Sequence, residues 1–103
     1  MTKTQNLTVR LDRELLKKIE QEAREEATDK STIARRLITI GIRQAQKARA
    51  VEDYRRGRCT IWKASQLAGI SLREMMETLR RERIPLHLSP EDVDEAWREA
   101  LEQ

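Results

Sequence analysis

Three polar side chains able to read DNA bases alternate with apolar ones near the start of the chain. These are Asn6, Thr8 and Arg10, within the run Asn6–Leu11. Side chains of an extended strand alternate between two faces, so the three would share one face. Arginine pairs with guanine through two hydrogen bonds, asparagine pairs with adenine in the same way, and threonine contacts a base edge or a thymine methyl group. The spacing suits base reading and, equally, an ordinary solvated strand face.

A second polar group opens a later helix. Lys30, Ser31 and Thr32 follow Asp29, the predicted N-cap. The free N–H groups and the dipole of a helix N-terminus attract phosphate, and the same residue types serve simple capping. We expect both roles here. Lys3, ahead of the strand, is a candidate for a nonspecific phosphate contact.

The end of the chain combines acidic charge with an apolar stripe. Residues 89–103 contain six acidic residues and one basic residue, Arg98. Val93, Trp97 and Leu101 recur at helical spacing. Exposed tryptophans are typical hot spots of protein interfaces, so the stripe is a candidate for partner binding. The alternative is that Trp97 packs onto the core of the second half.

The sequence contains no recognisable catalytic constellation. It has one histidine, His87, and one cysteine, Cys59, which do not make a metal-ligand set. It has no Ser/His/Asp pattern, glycine-rich phosphate loop or HExxH motif. We expect no enzymatic activity, no cofactor and no metal, and we assign His87 a structural role.

The composition indicates a small, highly charged chain with little large apolar surface. Of 103 residues, 38% are hydrophobic and 38% are charged, and phenylalanine is absent. Small domains bury proportionally less surface, and oligomerisation is the usual remedy. One cysteine excludes a disulfide framework, no apolar run approaches the roughly 20 residues of a membrane span, and the polar N-terminus does not look like a signal peptide. We expect a cytoplasmic protein with no membrane partner.

The first half predicts one strand followed by two helices. The strand covers residues 6–11, and a helix over residues 13–27 follows Asp12 as N-cap. The next helix, from Lys30, is apolar on more than one face, which predicts burial against a second subunit. A lone strand must pair its backbone groups, so we predict a homodimer with a two-stranded ribbon.

This order of elements in residues 5–48 resembles the ribbon-helix-helix family of DNA-binding proteins. The resemblance rests on the sequence LTVRL, the capped helix, the short polar turn and the more apolar second helix. It implies a dimer whose ribbon lies in the major groove of DNA, with Asn6, Thr8 and Arg10 reading bases. We therefore predict that residues 1–48 form a dimerisation and DNA-binding domain.

Residues 49–103 predict a second, helical domain. Thr60 caps a short helix, and after a glycine turn Ser71 and Glu74 form the capping box of the next helix. This order resembles a helix-turn-helix. Ser89 then caps the acidic last helix. The fold class is therefore mainly α: a ribbon-helix-helix followed by a small helix-turn-helix-like domain.

Part of the second half also resembles a small helical family of uncharacterised prokaryotic proteins that are often encoded beside PIN-domain toxins and regarded as antitoxins. The resemblance covers about residues 50–93. The matching residues are Tyr54, Gly57, Ala64, the segments LAGIS (67–71) and IPLH (84–87). The chain departs from the pattern at Arg58-Cys59 and Met75-Met76.

Together the resemblances imply an antitoxin of a type II toxin–antitoxin pair, similar to the VapB class. It would bind double-stranded operator DNA of its own operon as a homodimer and neutralise a PIN-domain-type toxin. The last helix would contact the toxin through Val93, Trp97, Arg98 and Leu101, with Arg98 as the candidate for insertion into an acidic site. The alternative is a ribbon-helix-helix transcriptional regulator with no toxin partner.

Overall fold

The computed structural model describes residues 4–102, which form five α-helices. They are α1 (Arg13–Glu25), α2 (Lys30–Arg55), α3 (Ile61–Ala68), α4 (Leu72–Arg81) and α5 (Pro90–Leu101). The chain divides into two compact units between Thr39 and Ile40. Within residues 4–102 no helix is both long enough and apolar enough to cross a bilayer. Lys3, the expected phosphate contact, lies outside the described residues.

The predicted N-terminal strand is wrong, and with it the expected ribbon-helix-helix fold. Residues 4–12 form neither helix nor strand, and none of residues 4–102 is in a strand. A strand requires a neighbour for its backbone N–H and C=O groups, and the described chain supplies none. The apolar side chains of this segment are exposed, by 78% at Leu7 and 58% at Val9. The alternation of residue types predicts a strand with two faces, but alternation alone provides no pairing partner.

Helix α1 begins as its sequence predicts and ends slightly earlier. The Asp12 carboxylate accepts a hydrogen bond from the Leu15 N–H at 2.8 Å, which satisfies a free amide of the first turn. The helix stops at Glu25 because Ala27 adopts a φ of +53°. The small core of this unit consists of Ile19, Ala23 and Ile33.

Helix α2 starts at the predicted residue and continues without a break to Arg55. Within the single chain its apolar residues are buried near the two ends, at Ile33, Val51 and Tyr54. Those in the middle are exposed: Leu37, Ile38, Ile40 and Ile42. The helix ends in a Schellman motif, in which Arg58 N–H donates to Asp53 C=O at 2.9 Å and Gly57 takes a φ of +73°.

The core of the second unit joins the end of α2 to α3 and α4. Four of its large side chains are almost completely buried: Ile61, Leu72, Met75 and Leu79. The predicted N-caps are present, since the Thr60 hydroxyl accepts from Lys63 N–H at 3.1 Å and the Ser71 hydroxyl accepts from Glu74 N–H at 3.0 Å. The predicted capping box of α4 is half formed, because the Glu74 carboxylate does not accept from Ser71 N–H. Helix by helix, the predicted starts in this half agree with the structure.

Tyr54 binds the connector between α4 and α5, residues 82–89. The Tyr54 hydroxyl accepts a hydrogen bond from His87 N–H at 2.6 Å and donates one to Pro85 C=O at 3.3 Å. The predicted structural role of His87 thus resides in its backbone, because its side chain is exposed. The connector is held to the core by a side chain buried in that core.

Candidate protein-binding surface on α5

Helix α5 begins in a complete capping box. The Ser89 hydroxyl accepts from Asp92 N–H at 3.1 Å, and the Asp92 carboxylate accepts in return from Ser89 N–H at 2.9 Å. Pro90 occupies the first turn, where its missing N–H costs nothing. The predicted start of this helix is confirmed. The sequence predicts Ser89 as the cap, and the structure adds the bond that the Asp92 carboxylate accepts from Ser89 N–H.

Asp92 also caps a second helix. Its other carboxylate oxygen accepts a hydrogen bond from Trp62 N–H at 2.8 Å, one of the free amides in the first turn of α3. The side chain has no exposed surface. The two helix N-termini that meet there place positive dipole ends beside the carboxylate. These bonds and dipoles offset the cost of burying a charged group without a cation.

Glu99 does the same for α4. One of its carboxylate oxygens accepts a hydrogen bond from Leu72 N–H at 2.7 Å, and Leu72 is the first residue of that helix. Residues seven apart lie on one face of a helix, about two turns from each other. Asp92 and Glu99 therefore attach the same acidic face of α5 to α3 and α4.

The apolar stripe of α5 is turned outward as a result. The exposed fraction is 46% at Val93, 65% at Trp97 and 77% at Leu101. These residues were predicted to share a face and they do, but that face lies away from the core. Trp97 does not pack into the core of the second half.

An apolar groove borders the stripe where α5 meets α4. Its volume is about 340 Å³. Its lining consists of the buried Asp92 and of apolar residues from α4, the connector and α5: Met76, Leu88, Val93, Ala96, Trp97 and Ala100. A groove of this size beside an exposed indole provides a place for apolar side chains of a partner.

Arg98, the predicted inserting residue, is paired within its own helix. Its guanidinium lies 2.6 Å from the carboxylate of Glu95. The Arg98 side chain is exposed, whereas Glu95 is largely covered. Exposed pairs of this kind are weak, so the arginine is held near its helix without being fixed there.

The predicted DNA-contacting residues lie in the first unit. Asn6, Thr8 and Arg10 are all exposed along the segment that precedes α1. Lys30 and Ser31 are exposed at the start of α2, and the Lys30 ammonium is 3.8 Å from the carboxylate of Glu20. The structure thus places each set on its own stretch of accessible chain.

One amide of the α2 N-terminus is already occupied. Thr32 N–H donates to the Asp29 carboxylate at 2.7 Å. This bond holds the pKa of Asp29 below its ordinary value. A phosphate at this helix end would meet an ionised carboxylate, so it would have to be held by the exposed Lys30 and Ser31.

The only cysteine has the surroundings of a structural thiol. Burial raises the pKa of Cys59, and the nearby Asp53 acts in the same direction. A raised pKa lowers the thiolate fraction and with it the reactivity. Within residues 4–102, His, Cys, Asp and Glu side chains form no group of three or more arranged to hold a metal ion.

The capping roles of Asp92 toward α3 and of Glu99 toward α4 are not predicted by the sequence. The available signal was their spacing, because Asp92, Glu95 and Glu99 recur at i, i+3 and i+7 on one helix face. An acidic helix face is usually solvated, so this spacing does not by itself predict a buried cap. Here the same face lies against two helix N-termini, where carboxylates are favoured.

A small helical unit whose last helix is anchored by carboxylates and displays an apolar stripe has the features of a protein-binding module. Residues 41–102 match the model of an uncharacterised protein family (UPF0175). The match covers more than half of the chain, so the chain belongs to this family. This agrees with the resemblance of the second half to an uncharacterised helical family. Comparisons with curated proteins and with solved structures find no match.

Proposed function

We propose that this protein is the antitoxin of a type II toxin–antitoxin pair. Its second unit binds and neutralises a PIN-domain-type toxin, and its first unit binds DNA of its own operon. Family membership over residues 41–102 supports an association with such pairs, as does the resemblance to proteins encoded beside PIN-domain toxins. The observation that carries the proposal is the exposed Trp97 on a helix fixed by Asp92 and Glu99.

The apolar stripe favours tight protein binding because the helix that carries it is already ordered. A helix that is already ordered loses less conformational entropy on association than one that folds as it binds. Exposed aromatic anchors beside a groove supply much of the binding energy in protein interfaces, and truncating one costs about 2 kcal/mol or more. The acidic residues around the stripe favour a partner with basic residues at the rim of its site.

Support for a homodimer comes from the apolar surface of the first unit. Its largest exposed apolar residues outside the small core are Leu7, Val9, Leu11, Leu15, Leu16, Leu37 and Ile38. Monomeric proteins rarely expose so many large apolar residues within so short a stretch of chain. A second copy covering this surface would also bring two sets of basic residues to one DNA duplex, which strengthens electrostatic binding.

The toxin part is tested with the product of the gene next to this one, which we expect to be a PIN-domain protein. The two proteins are co-purified, and Kd is measured by calorimetry for the wild type, Trp97→Ala and Leu67→Ala. Leu67 is a matched control, since it is an exposed large apolar residue of α3 outside the stripe. We expect Trp97→Ala to weaken binding about 30-fold and Leu67→Ala to leave it unchanged. A point substitution is needed because deleting α5 would remove the caps of α3 and α4.

The DNA part is tested by gel shift with the promoter of the same operon. Arg10→Ala should weaken specific binding strongly, because a bidentate base contact is worth about 1–3 kcal/mol for each subunit. Lys63→Ala, in the second unit, is the control and should bind normally. Promoter binding without any complex with the neighbouring protein would identify a transcriptional regulator with no toxin partner. Equal toxin affinity of Trp97→Ala and wild type would contradict the role of α5.

A further inference from the structure

The groove beside Trp97 continues into a second depression between α4 and α5. This depression of about 570 Å³ lies next to the first, and the two share Met76, Ala96 and Ala100 as lining residues. The second depression extends the groove past Arg73 and Arg80 of α4. The surface is therefore one elongated groove with small alanine side chains along its floor.

The two edges of this groove differ in charge. The α4 edge carries Arg73 and Arg80 against one acidic residue, Glu77. Glu99 of α5 also lines the groove, but its carboxylate is engaged by Leu72 N–H. Arg73 is 4.0 Å from Glu77 and highly exposed, so its charge remains available to a partner.

On α5, Asp94 lies outside the lining of the groove, beyond the apolar stripe, on the side of Trp97 and Leu101 by helical spacing, and it is exposed. The neighbouring Arg98 is paired with Glu95. The groove is thus basic along α4 and acidic along the outer edge of α5.

We propose that this α4–α5 groove receives an amphipathic α-helix of the partner protein, with acidic residues along one edge and basic residues along the other. The inference rests on the proposed function only for the identity of the partner. The acidic edge of the incoming helix lies against Arg73 and Arg80, and its basic edge lies against Asp94.

The dimensions suit a helix of about three turns. Helix α5 has 12 residues, which corresponds to a length of about 18 Å. Helices that bind in grooves place apolar residues at i, i+3 or i+4, and i+7, and three turns provide three or four such anchors. Ala96 and Ala100 are one turn apart, and their small side chains allow the backbone of a partner helix to approach closely.

Charge argues against a second copy of α5 as the occupant. Residues 89–103 contain six acidic residues and one arginine. Two α5 helices packed through their stripes would bring Asp94 and its neighbours of both copies together. Like charges opposed at an interface are strongly unfavourable. The occupant is therefore a helix with a different charge pattern.

The test uses three fluorescein-labelled helical peptides of equal length with the same leucine stripe. The first has Glu on one edge and Lys on the other. The second has the same composition with Glu and Lys mixed on both edges, and the third has Lys on both edges. Anisotropy titrations with the full chain should show the first peptide binding at least 10-fold more tightly than either of the others. A peptide with the Glu and Lys edges exchanged would not serve as a control. A helix can bind in either direction along the groove, and reversing its direction restores the same pairing of edges.

Two substitutions locate the bound peptide. Ala100→Gln fills the groove at an exposed position and should weaken binding of the first peptide at least 10-fold. Ala45→Gln, at an exposed position on α2, is the matched control and should bind like the wild type. Arg80→Glu should weaken the first peptide and strengthen the peptide with Lys on both edges. Circular dichroism confirms that each variant is folded.

Three results would overturn the proposal: no binding of the first peptide, equal binding of the first and mixed peptides, or unchanged binding by Ala100→Gln. Sedimentation of the chain alone provides a separate check. If Ala100→Gln dissociates a self-assembled form, the groove is filled by a second copy.

The neighbouring toxin is absent from these measurements. A failure of the proposed toxin partnership would therefore leave the peptide result intact, and a failure with the peptides would not affect the toxin result.

Discussion

The carboxylate of Asp92 on α5 accepts a hydrogen bond from the backbone N–H of Trp62 on α3 at a distance of 2.8 Å. The same carboxylate accepts from Ser89 N–H at 2.9 Å. One buried side chain therefore closes the start of its own helix and of another helix 30 residues away in sequence. The bond to Trp62 holds the acidic face of α5 against the core. Trp97 lies on another face of the helix and therefore points outward.

Replacing Asp92 should destabilise the second unit. Asp92→Ala leaves the N–H groups of Trp62 and Ser89 without their acceptor, and a buried unsatisfied donor costs about 1–3 kcal/mol. Asp92→Asn retains one acceptor oxygen and should lose less. The free energy of unfolding, measured in urea, should decrease from the wild type to Asp92→Asn and further to Asp92→Ala. Asp94→Ala is the control, because Asp94 is exposed, and its effect should stay within about 0.5 kcal/mol.

Glu99 should couple to Asp92. Glu99→Ala removes the acceptor for Leu72 N–H, and losing a cap of this kind costs about 0.5–2 kcal/mol. Once either carboxylate is lost, α5 is held less firmly and the other contributes less. The double variant should therefore lose less stability than the sum of the single variants. Strict additivity in urea unfolding would show that the two caps act independently and that α5 is not held as one unit.

The capping residues illustrate what sequence reasoning can recover. Asp12, Thr60, Ser71 and Ser89 were all identified as caps, and each accepts a hydrogen bond from an amide three residues later. The relevant physics is local, because the donor and the acceptor lie within one turn of chain. The glycine turn after α3 was equally readable, since Gly69 adopts the positive φ that glycine tolerates. The end of α2 was left open by the sequence, and Gly57 marks it in the structure.

The error and the open alternative both involve partners that are distant in sequence or outside the chain. The strand predicted at Leu7 and Val9 would require a pairing neighbour that the described chain lacks. The sequence leaves open whether Trp97 is exposed or packs onto the core, because the direction of α5 depends on which of its faces meets α3 and α4. The usual rule places Trp97 inward because the apolar face has more to gain from burial. That rule neglects the hydrogen bonds that Asp92 and Glu99 accept from the N-termini of α3 and α4, which favour the acidic face of α5 on the inside.

Alanine substitutions at two glycines should change stability in opposite directions. Gly69 has a φ of +69°, so Gly69→Ala is strained and should lower the free energy of unfolding by about 1 kcal/mol. Gly41 lies within α2 with open space around the position of an added Cβ. Gly41→Ala should therefore raise stability by about 0.5–1 kcal/mol. A fall in stability at Gly41 would indicate a close contact with a second copy, which is measurable as a weaker dimer.

The start of α2 should loosen at low pH. The bond from Thr32 N–H holds the pKa of Asp29 below its ordinary value. A depressed folded-state pKa means that the cap contributes fully above the pKa of the unfolded chain and is lost as pH falls through the folded-state value. The Thr32 amide resonance should titrate with a midpoint below that of an ordinary aspartate. In the Asp29→Asn variant the acceptor does not titrate, and the same resonance should stay constant over this pH range.

Trp97→Ala should leave the fold nearly unchanged. The side chain is 65% exposed, and full burial of a large apolar side chain is worth about 1.5–3 kcal/mol, so the expected loss in unfolding free energy is below about 1 kcal/mol. Met75→Ala is the comparison, because Met75 is completely buried and truncating such a residue costs about 2–5 kcal/mol. Urea unfolding of the two variants separates a surface residue from a core residue. If Trp97→Ala destabilised the chain as much as Met75→Ala, the indole would be part of the core, and its loss could not be used to infer binding.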